Sequence, residues 1–353
     1  VEDDMPRMGV DRAEPGSLAV MLFKNLSKDE EQEYFCEGFS EDLISSLSQF
    51  RKLVVISGNA SFAYRETKKS PSKIGQELGI RYILEGSVRK MGPRLRINAS
   101  LIATAEGKTV WSNKYDVQTD EIFDVQDELI ETLVSTIAGR VEADETQKIS
   151  TARPDNLDAY DLVLKGLEFH KRGGITKENA EKAVEYFSKA IEIDPNYARA
   201  YAWKACSTAT VAQWDPERYG GNWLEACFDS VSHAMEIDPD DAEAHRILGA
   251  IRMFKSEFDA SLYHHEKARD LCPSDAYIRF KYATVLIYVG APEKALEEIK
   301  TAKRLDPFCP DYLLEDEGIC YFWLNKFEQA IESFGTLKVS SRNSLFYLAA
   351  TYG

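Results

Sequence analysis

Three consecutive residues, His264-His265-Glu266, have the residue types of a zinc-protease site. In the HExxH motif a second histidine follows the glutamate by three residues, so that both imidazoles bind the metal from one helix face. Position 269 is an arginine, so the motif fails. We predict that His265 is a packed helix residue and not a metal ligand. A pH-sensing cluster that includes His170, His233 and His245 is the alternative interpretation.

The cysteines offer no better metal or disulfide pattern. None of them forms a CxxC pair, and several fall on helix faces that are expected to be buried: Cys36, Cys206, Cys227, Cys272, Cys309 and Cys320. Scattered thiols of this kind are typical of reduced, packed side chains in a cytoplasmic protein. We therefore predict a cytoplasmic chain without a metal or cofactor.

Other catalytic motifs are absent from the sequence. It contains no GxxxxGK[ST] or GxGxxG phosphate loop and no GxSxG nucleophile turn. Acidic runs at 29–33 and 120–128 are typical of solvated helix starts, where negative charge is favourable. A net charge of −16 disfavours a nucleic-acid surface, and no apolar run is long enough for a membrane span. The sequence predicts no enzyme within this chain.

A 34-residue repeat in the second half of the chain predicts the helices that could position a binding site. Pro239, Pro273 and Pro307 are spaced at 34-residue intervals, and each ends a similar stretch such as HAMEIDP; an earlier copy ends at Pro195. A 34-residue period of two helices and a turn is the signature of tetratricopeptide repeats. Such units bury their apolar faces only against their neighbours, so the array is predicted to be a binding scaffold.

The positions inside each repeat agree with this period. Small and aromatic residues recur at fixed places, as at Ala183 and Phe187 in the first unit and at Gly318 and Phe334 in the fifth. Small residues let paired helices approach closely, and the aromatic ring fills the space between them. The stretch LFYLAATYG is predicted to be the first helix of a truncated sixth unit, so we expect the chain to be a fragment.

The first half of the chain has a different periodicity. Apolar runs, alternation and turn signals predict strands at 18–23, 53–56, 82–90, 94–104 and 109–117, with helices ending near 49 and spanning 72–78 and 121–142. Met91-Gly92-Pro93 is predicted to be the turn of an antiparallel hairpin. The predicted fold class is an α+β N-terminal domain, with a mixed sheet and flanking helices, followed by an all-α tetratricopeptide solenoid.

These predictions give four segments. They are a polar leader at 1–16, an α/β domain at 17–143, a linker at 144–156, and a solenoid at 157–353 with about five units plus a truncated sixth. The linker contains ETQKISTARPDN, which is polar, includes a proline and lacks apolar periodicity. We therefore expect the domain boundary there.

Several stretches of the first half resemble a known bacterial module. They include YFCEGFSEDLISSLSQF, LVVISGNASFAYRE, IGQELGIRYILEGSVRKMGPRLRINASLI and IFDVQDELI. They are similar to the TolB amino-terminal-like domain, which commonly precedes tetratricopeptide repeats in bacterial signalling proteins. The resemblance implies an upstream class III adenylate or guanylate cyclase domain or an upstream DNA-binding domain. Gly58 departs from the basic residue that many relatives carry.

Four functions stay open on these grounds. The chain is the regulatory region of a bacterial cyclase, the effector region of a transcriptional regulator, a free-standing adaptor, or an enzyme with an unrecognised site. The expected partner is a protein, another segment of the same polypeptide, or a second copy of this chain. No nucleic acid is expected.

The repeat register predicts where a partner binds. First helices of successive units line a groove in such arrays, and their exposed positions are predicted to be Arg199, Glu243, Arg246, Tyr277, Phe280, Tyr312 and Glu315. Aromatics beside arginines are typical of interaction hot spots. Packing of Phe280 and Tyr312 against adjacent repeats is the alternative. A ten-residue insertion that contains Trp214 and Tyr219 is predicted to form an ordered interaction loop, with simple loop variation as the alternative.

Overall fold

Residues 17–118 form a mixed sheet in the computed structural model, which describes residues 16–27, 33–51, 53–138, 156–172, 176–219, 221–338 and 341–352. Its strands within these residues are β1 (Ser17–Val20), β2 (Lys24–Asn25), β3 (Val54–Val55), β4 (Tyr82–Met91), β5 (Arg94–Ala103) and β6 (Lys108–Gln118). Their order is β3-β1-β4-β5-β6, and β2 pairs with β4. β1 is parallel to β3 and β4, whereas β5 is antiparallel to β4 and β6.

The predicted hairpin is confirmed. Met91 pairs with Arg94, so Gly92 and Pro93 form a two-residue turn. Gly92 has φ +61°, a conformation that favours glycine. The predicted alternation of β5 is also confirmed, because the side chains that face the core are Leu95, Ile97, Ala99 and Leu101.

Four helices belong to this N-terminal part (residues 16–138): α1 (Glu33–Ser48), α2 (Gly58–Phe62), α3 (Pro71–Leu78) and α4 (Ile122–Ala138). Leu43 of α1 and Leu129 of α4 are fully buried in the same cluster as Leu101 of the sheet. The sequence predicted α1, α3 and α4, but it missed β2 and α2 because two and five residues are too few to show a period. Residues 144–155 of the predicted linker at 144–156 and residues 1–15 of the predicted leader at 1–16 lie outside the described residues.

The remaining helices form pairs, which we call the repeat array. Its members are α5 (Leu157–Leu167) with α6 (Lys177–Ile193), α7 (Ala198–Ala212) with α8 (Trp223–Ile237), α9 (Ala242–Phe254) with α10 (Phe258–Leu271), α11 (Ala276–Tyr288) with α12 (Pro292–Leu305), α13 (Asp311–Trp323) with α14 (Phe327–Gly335), and then α15 (Arg342–Tyr352). A π-helical turn, Glu168–Arg172, follows α5. The helix pairs and the extra last helix are as the period predicts.

Glycines in the first helices let the paired helices approach closely. A Cβ atom on each of three glycines would lie 2.3–2.6 Å from a ring of the second helix, and the pairs are Gly166 with Phe187, Gly249 with His265, and Gly318 with Phe334. No Cβ atom fits at such distances without a shift of the ring. The predicted packing of a small residue against an aromatic ring is therefore confirmed, with an imidazole in the third unit.

His265 is only 2% exposed, as predicted for a packed helix residue. Its Nδ1 lies 2.9 Å from the Ser261 carbonyl oxygen, to which it donates a hydrogen bond. Burial lowers the pKa of His265 to about 4, because the charged form loses its hydration. His245 and His264 also lie together, with 3.0 Å between their Nδ1 atoms. No group of three or more residues that could hold a metal occurs within the described residues.

We expect that replacing His265 with Phe, as in the first and fifth units, reduces the sensitivity of the fold to acid. An unfolded histidine titrates near pH 6.5, so the unfolded chain binds more protons between pH 6.5 and pH 4. The stability that neutral His265 contributes is present above pH 6.5 and is lost as the pH falls towards 4. The difference in unfolding free energy between pH 7 and pH 5, measured with urea, should shrink by about 2 kcal/mol. His233→Gln, at an exposed position, is the control. If His265→Phe leaves the difference in unfolding free energy between pH 7 and pH 5 unchanged, His265 is not a buried neutral histidine with a lowered pKa.

The N-terminal part packs on the loops that join successive repeats. The backbone N–H of Ser57 donates to the Leu305 carbonyl at 2.9 Å, and the Ser274 hydroxyl donates to the Leu53 carbonyl at 2.9 Å. The Asn59 amide donates to the Asp306 carboxylate at 3.1 Å. These loops carry the Asp-Pro and Cys-Pro turns of the period, so the same residues that end each repeat also hold the sheet domain.

Candidate functional site

The repeat array and the N-terminal part enclose a cavity of about 1750 Å³, which we call the groove. Helices α7, α9, α11 and α13 line one side of it, and the neighbouring first helices contact one another in turn. Residues of α1 and α2, including Asp42 and Asn59, line the other side. A groove therefore lies along these first helices, and this chain itself supplies one wall; that a partner binds in it stays a prediction.

Arg246 on α9 lies within the groove wall. It is 4% exposed, and its Nε lies 2.6 Å from Glu243 Oε2, one helical turn earlier. Its guanidinium lies over two rings, with 5.1 Å to the centre of Tyr277 and 5.8 Å to that of Trp203. A guanidinium held by a carboxylate and stacked on rings is rigid. Arg246 therefore holds the two aromatic rings of the groove wall in place. Arg246→Glu would put a second carboxylate beside Glu243, so this substitution would test the folding of the chain more than its binding.

Lys281 on α11 is a cation that the predicted site lacked. Its ammonium lies 5.2 Å from the ring centre of Tyr277 and 5.7 Å from that of Tyr312. It forms no hydrogen bond or ion pair with any residue in the described part of the chain. Burial lowers the pKa of Lys281 and the nearby Arg246 lowers it further, whereas the Asp316 carboxylate on α13 raises it. Lys281, set between two rings, is therefore a candidate contact for a carboxylate in a groove that carries more acidic than basic side chains.

The predicted groove residues separate into two groups. Tyr277 and Tyr312 are exposed, at 36% and 53%, and lie beside Lys281. Phe280 and Arg246 also line the groove but are only 1% and 4% exposed, so the prediction that they are exposed positions is wrong. Glu315 is 7% exposed and accepts a hydrogen bond from Ser341, so it does not face the groove. A helix in the middle of an array contacts neighbours on two sides, which leaves fewer open positions than the register suggested.

Arg199 forms an ion pair within the chain, with Asp42. Its Nη1 lies 2.5 Å from Asp42 Oδ1 on α1, and the Tyr160 hydroxyl donates to the other oxygen of that carboxylate at 2.5 Å. The Asp42 side chain is 7% exposed. Arg199 thus fixes the N-terminal part to the first repeats.

The insertion with Trp214 and Tyr219 has regular structure over part of its length. After Trp214, which is 46% exposed, a 3-10 helix spans Pro216–Tyr219. Lys177 Nζ of α6 binds Asp215 Oδ2 at 2.9 Å, so the insertion packs back on the first unit. The side chain of Tyr219 lies outside the described residues. Partner binding by this loop stays a prediction.

A thiol and an imidazole meet at one end of the groove. Cys206 Sγ of α7 lies 3.5 Å from His170 Nε2, and Ser207 Oγ lies 2.8 Å from His170 Nδ1. The His170 ring packs edge-on against Trp203 with 5.2 Å between centres. The sequence could not pair these residues, because the π-helical turn that carries His170 interrupts the repeat pattern.

Comparison with known proteins supports the repeat assignment. The tetratricopeptide repeat family matches residues 175–197. The putative adenylate cyclase 3 of Rhizobium meliloti (strain 1021) is 36% identical over 235 residues, which cover 64% of this chain and 38% of that protein. The transcriptional regulator HilA of Salmonella typhimurium (strain LT2) is 23% identical over 188 residues, covering 53% of this chain and 32% of that protein. The chain thus spans about a third of the length of these curated relatives.

Solved structures overlay on a little over half of this chain. TTC0263, a thermophilic TPR protein of Thermus thermophilus, overlays on 55% of this chain and 98% of its own with a TM-score of 0.42 and 12% identity. PilF of Pseudomonas aeruginosa overlays on 56% of this chain and 85% of its own with a TM-score of 0.43 and 18% identity. None of the helices in the described ranges is long and apolar enough to cross a membrane.

Together these findings describe a protein-interaction region of the tetratricopeptide type that follows a mixed sheet. Tetratricopeptide repeats are a non-catalytic fold, and nothing in the comparisons identifies a catalytic domain within this chain. The match to a putative adenylate cyclase supports the regulatory region of a signalling protein.

Proposed function

We propose that this chain is a non-catalytic regulatory and protein-interaction region of a bacterial class III adenylate or guanylate cyclase, the part that follows the catalytic domain. The 36% identity to a putative adenylate cyclase supports this proposal. The proposal includes a cytoplasmic location, because six free thiols suit a reducing compartment. It also includes a domain boundary at 144–156.

The proposal assigns residues 17–143 to a TolB amino-terminal-like module. The support is the resemblance of the sequence runs, the most specific of which, ELGIRYILEGSVRK, ends in the β4–β5 hairpin. In this proposal the module takes part in the groove. Its α1 and α2 form a wall of the groove, so a change in this module would reach any groove occupant directly.

The single observation that carries the binding function is Lys281. Its ammonium faces the groove between Tyr277 and Tyr312 and has no ion-pair partner among the described residues. Contacts with rings compensate only part of the cost of removing a cation from water, and a carboxylate compensates more of it. We infer that the groove binds an acidic segment of a protein partner, or of the same polypeptide, through a carboxylate at Lys281.

The alternative is the effector region of a transcriptional regulator with an upstream DNA-binding domain. The 23% identity to HilA favours it, since that protein is a transcriptional regulator. A free-standing adaptor is a further alternative. The residues encoded immediately upstream of Val1 discriminate among these functions, because a cyclase domain carries metal-binding carboxylates and a DNA-binding domain carries a basic recognition helix.

We expect Lys281→Gln to weaken binding of the groove partner about tenfold, the loss typical of a charge-assisted hydrogen bond. The partner would first be captured by a photoreactive residue at position 312 in the full-length protein. Its segment would then be titrated calorimetrically against both variants at low and high salt. Affinity should fall with salt in the original protein and less so in Lys281→Gln, because a screened ion pair has been removed.

Lys300→Gln is the matched control, since Lys300 is an exposed lysine on α12. It removes the same charge from the chain without touching the groove. Equal affinities for Lys281→Gln and Lys300→Gln would contradict an anion-binding groove. Loss of binding with an unchanged cyclase output would keep the groove and reject its regulatory role.

A further inference from the structure

We propose that Cys206 and His170 form a reactive-thiol site in the groove, at which a hydroperoxide oxidises Cys206 to a sulfenic acid. The geometry is that of a thiol paired with a base. Cys206 Sγ lies 3.5 Å from His170 Nε2, and Cys206 is a partly buried residue that lines the cavity. The inference does not depend on which segment occupies the groove.

Ser207 is the positioning residue of this pair. It is fully buried, and its Oγ lies 2.8 Å from His170 Nδ1. The proposal places a proton on Nδ1, from which it is donated to Ser207 Oγ in the neutral and in the protonated imidazole. Nε2 is therefore left to accept the thiol proton, which produces a thiolate beside an imidazolium.

The charges around the thiol favour this ion pair. The titratable and charged groups that act on Cys206 from the surrounding elements are His170, Cys227, Glu243, Arg246, Tyr277 and Lys281. Burial raises the pKa of Cys206, but His170 and then Arg246 lower it more, and the pKa falls to about 7. Glu243 alone among the charged neighbours opposes this, and it is paired with Arg246.

The other five cysteines lie in surroundings that raise the pKa of the thiol. Burial is the first cause in every case, and it raises the pKa to about 12 for Cys36, Cys227, Cys309 and Cys320. It raises the pKa of Cys272 as well. These five thiols are internal controls in the same molecule, because none of them ionises near neutral pH.

Oxidation of the Cys206 thiolate requires the hydroperoxide and the proton on His170 Nε2. The thiolate sulfur attacks one oxygen of the hydroperoxide, so an S–O bond forms while the O–O bond breaks. Sulfur loses two electrons and the peroxide gains them. The leaving hydroxide or alkoxide takes the proton from His170 Nε2, which regenerates the neutral imidazole and yields Cys206 sulfenic acid with water or an alcohol.

The test is alkylation of the folded chain with iodoacetamide between pH 5.5 and 9.5, with each cysteine quantified by mass spectrometry. Cys206 should react at least about 100-fold faster than the other five at pH 7, with a half-maximal rate near pH 7. His170→Gln should move that midpoint towards pH 8.5 and slow the reaction at pH 7 about tenfold. His233→Gln, which changes an exposed histidine, should leave both unchanged.

A second arm uses hydrogen peroxide with dimedone as the sulfenic acid trap. Dimedone should mark Cys206 and none of the other cysteines, and the mark should disappear in Cys206→Ser. Reaction of Cys206 at the rate of the other thiols, or a midpoint at pH 8.5 or above in the unaltered chain, would overturn the proposal. The pH dependence of Cys206 alkylation in the unaltered chain tests the proposal even if the His170→Gln variant does not fold.

Discussion

Asp42→Ala is expected to lower the free energy of unfolding by about 3 kcal/mol and to loosen the N-terminal part from the repeat array. The Asp42 carboxylate, with its side chain 7% exposed, accepts hydrogen bonds from Arg199 and Tyr160 at 2.5 Å each. Removing it leaves a guanidinium and a phenol without their acceptor in a low-dielectric site. Urea unfolding followed by circular dichroism measures the loss.

Asp116→Ala is the matched control for this prediction. Asp116 binds Arg96 at 2.6 Å on the sheet surface, where both side chains are about a third exposed. Solvent screens such a pair, so little change in stability is expected. The double variant Asp42→Ala with Arg199→Ala should be less destabilised than the sum of the two single changes, because the second removes the unpaired charge. Equal effects of Asp42→Ala and Asp116→Ala would contradict the buried interface.

Phe280→Ala is expected to cost about 3–5 kcal/mol in unfolding free energy, the range for removal of a buried aromatic ring. Phe280 is 1% exposed among the side chains of α11, α12 and α13, and Val54 of β3 packs against the same cluster. The cavity left by the ring would lie where the repeat array meets the sheet. Thermal and urea unfolding measure this effect.

Tyr312→Ala separates packing from binding, because Tyr312 is 53% exposed and faces Lys281. We expect a much smaller loss of stability than for Phe280→Ala, together with weaker partner binding. Phe280→Ala should change binding less than Tyr312→Ala, because Phe280 exposes only 1% of its surface to the groove, and this is checked at a temperature where both variants are folded. A large stability loss for Tyr312→Ala and a small one for Phe280→Ala would reverse the two assignments.

The fold of each half could be predicted because its signals are local or periodic. The 34-residue spacing of Pro239, Pro273 and Pro307 predicted helix pairs, and these helices are present. The alternation in β5 and the turn at Gly92 predicted the hairpin and its buried face. Backbone hydrogen bonds and side-chain periods act over a few residues, so a sequence carries them without knowledge of the rest of the chain.

The candidate site could be predicted only in part. The register identified Tyr277 and Tyr312 as exposed positions, but it could not separate them from the buried Arg246 and Phe280, since helix positions that share a face still differ in how a neighbouring helix covers them. Lys281 follows Tyr277 by four residues, a spacing that puts both on one face and could have revealed it. The contact of His170 with Cys206 had no such signal.

The sequence by itself determined which helices and strands form, which side of each is apolar, and that the second half is an interaction scaffold. Only the tertiary structure decided how the two halves meet. Arg199 and Asp42 are 157 positions apart, and no repeat or turn relates them. Such a contact depends on how two preformed surfaces fit, and charge, shape and loop geometry act together there. That fit places one wall of the groove on the N-terminal part and leaves Lys281 facing the space between the two.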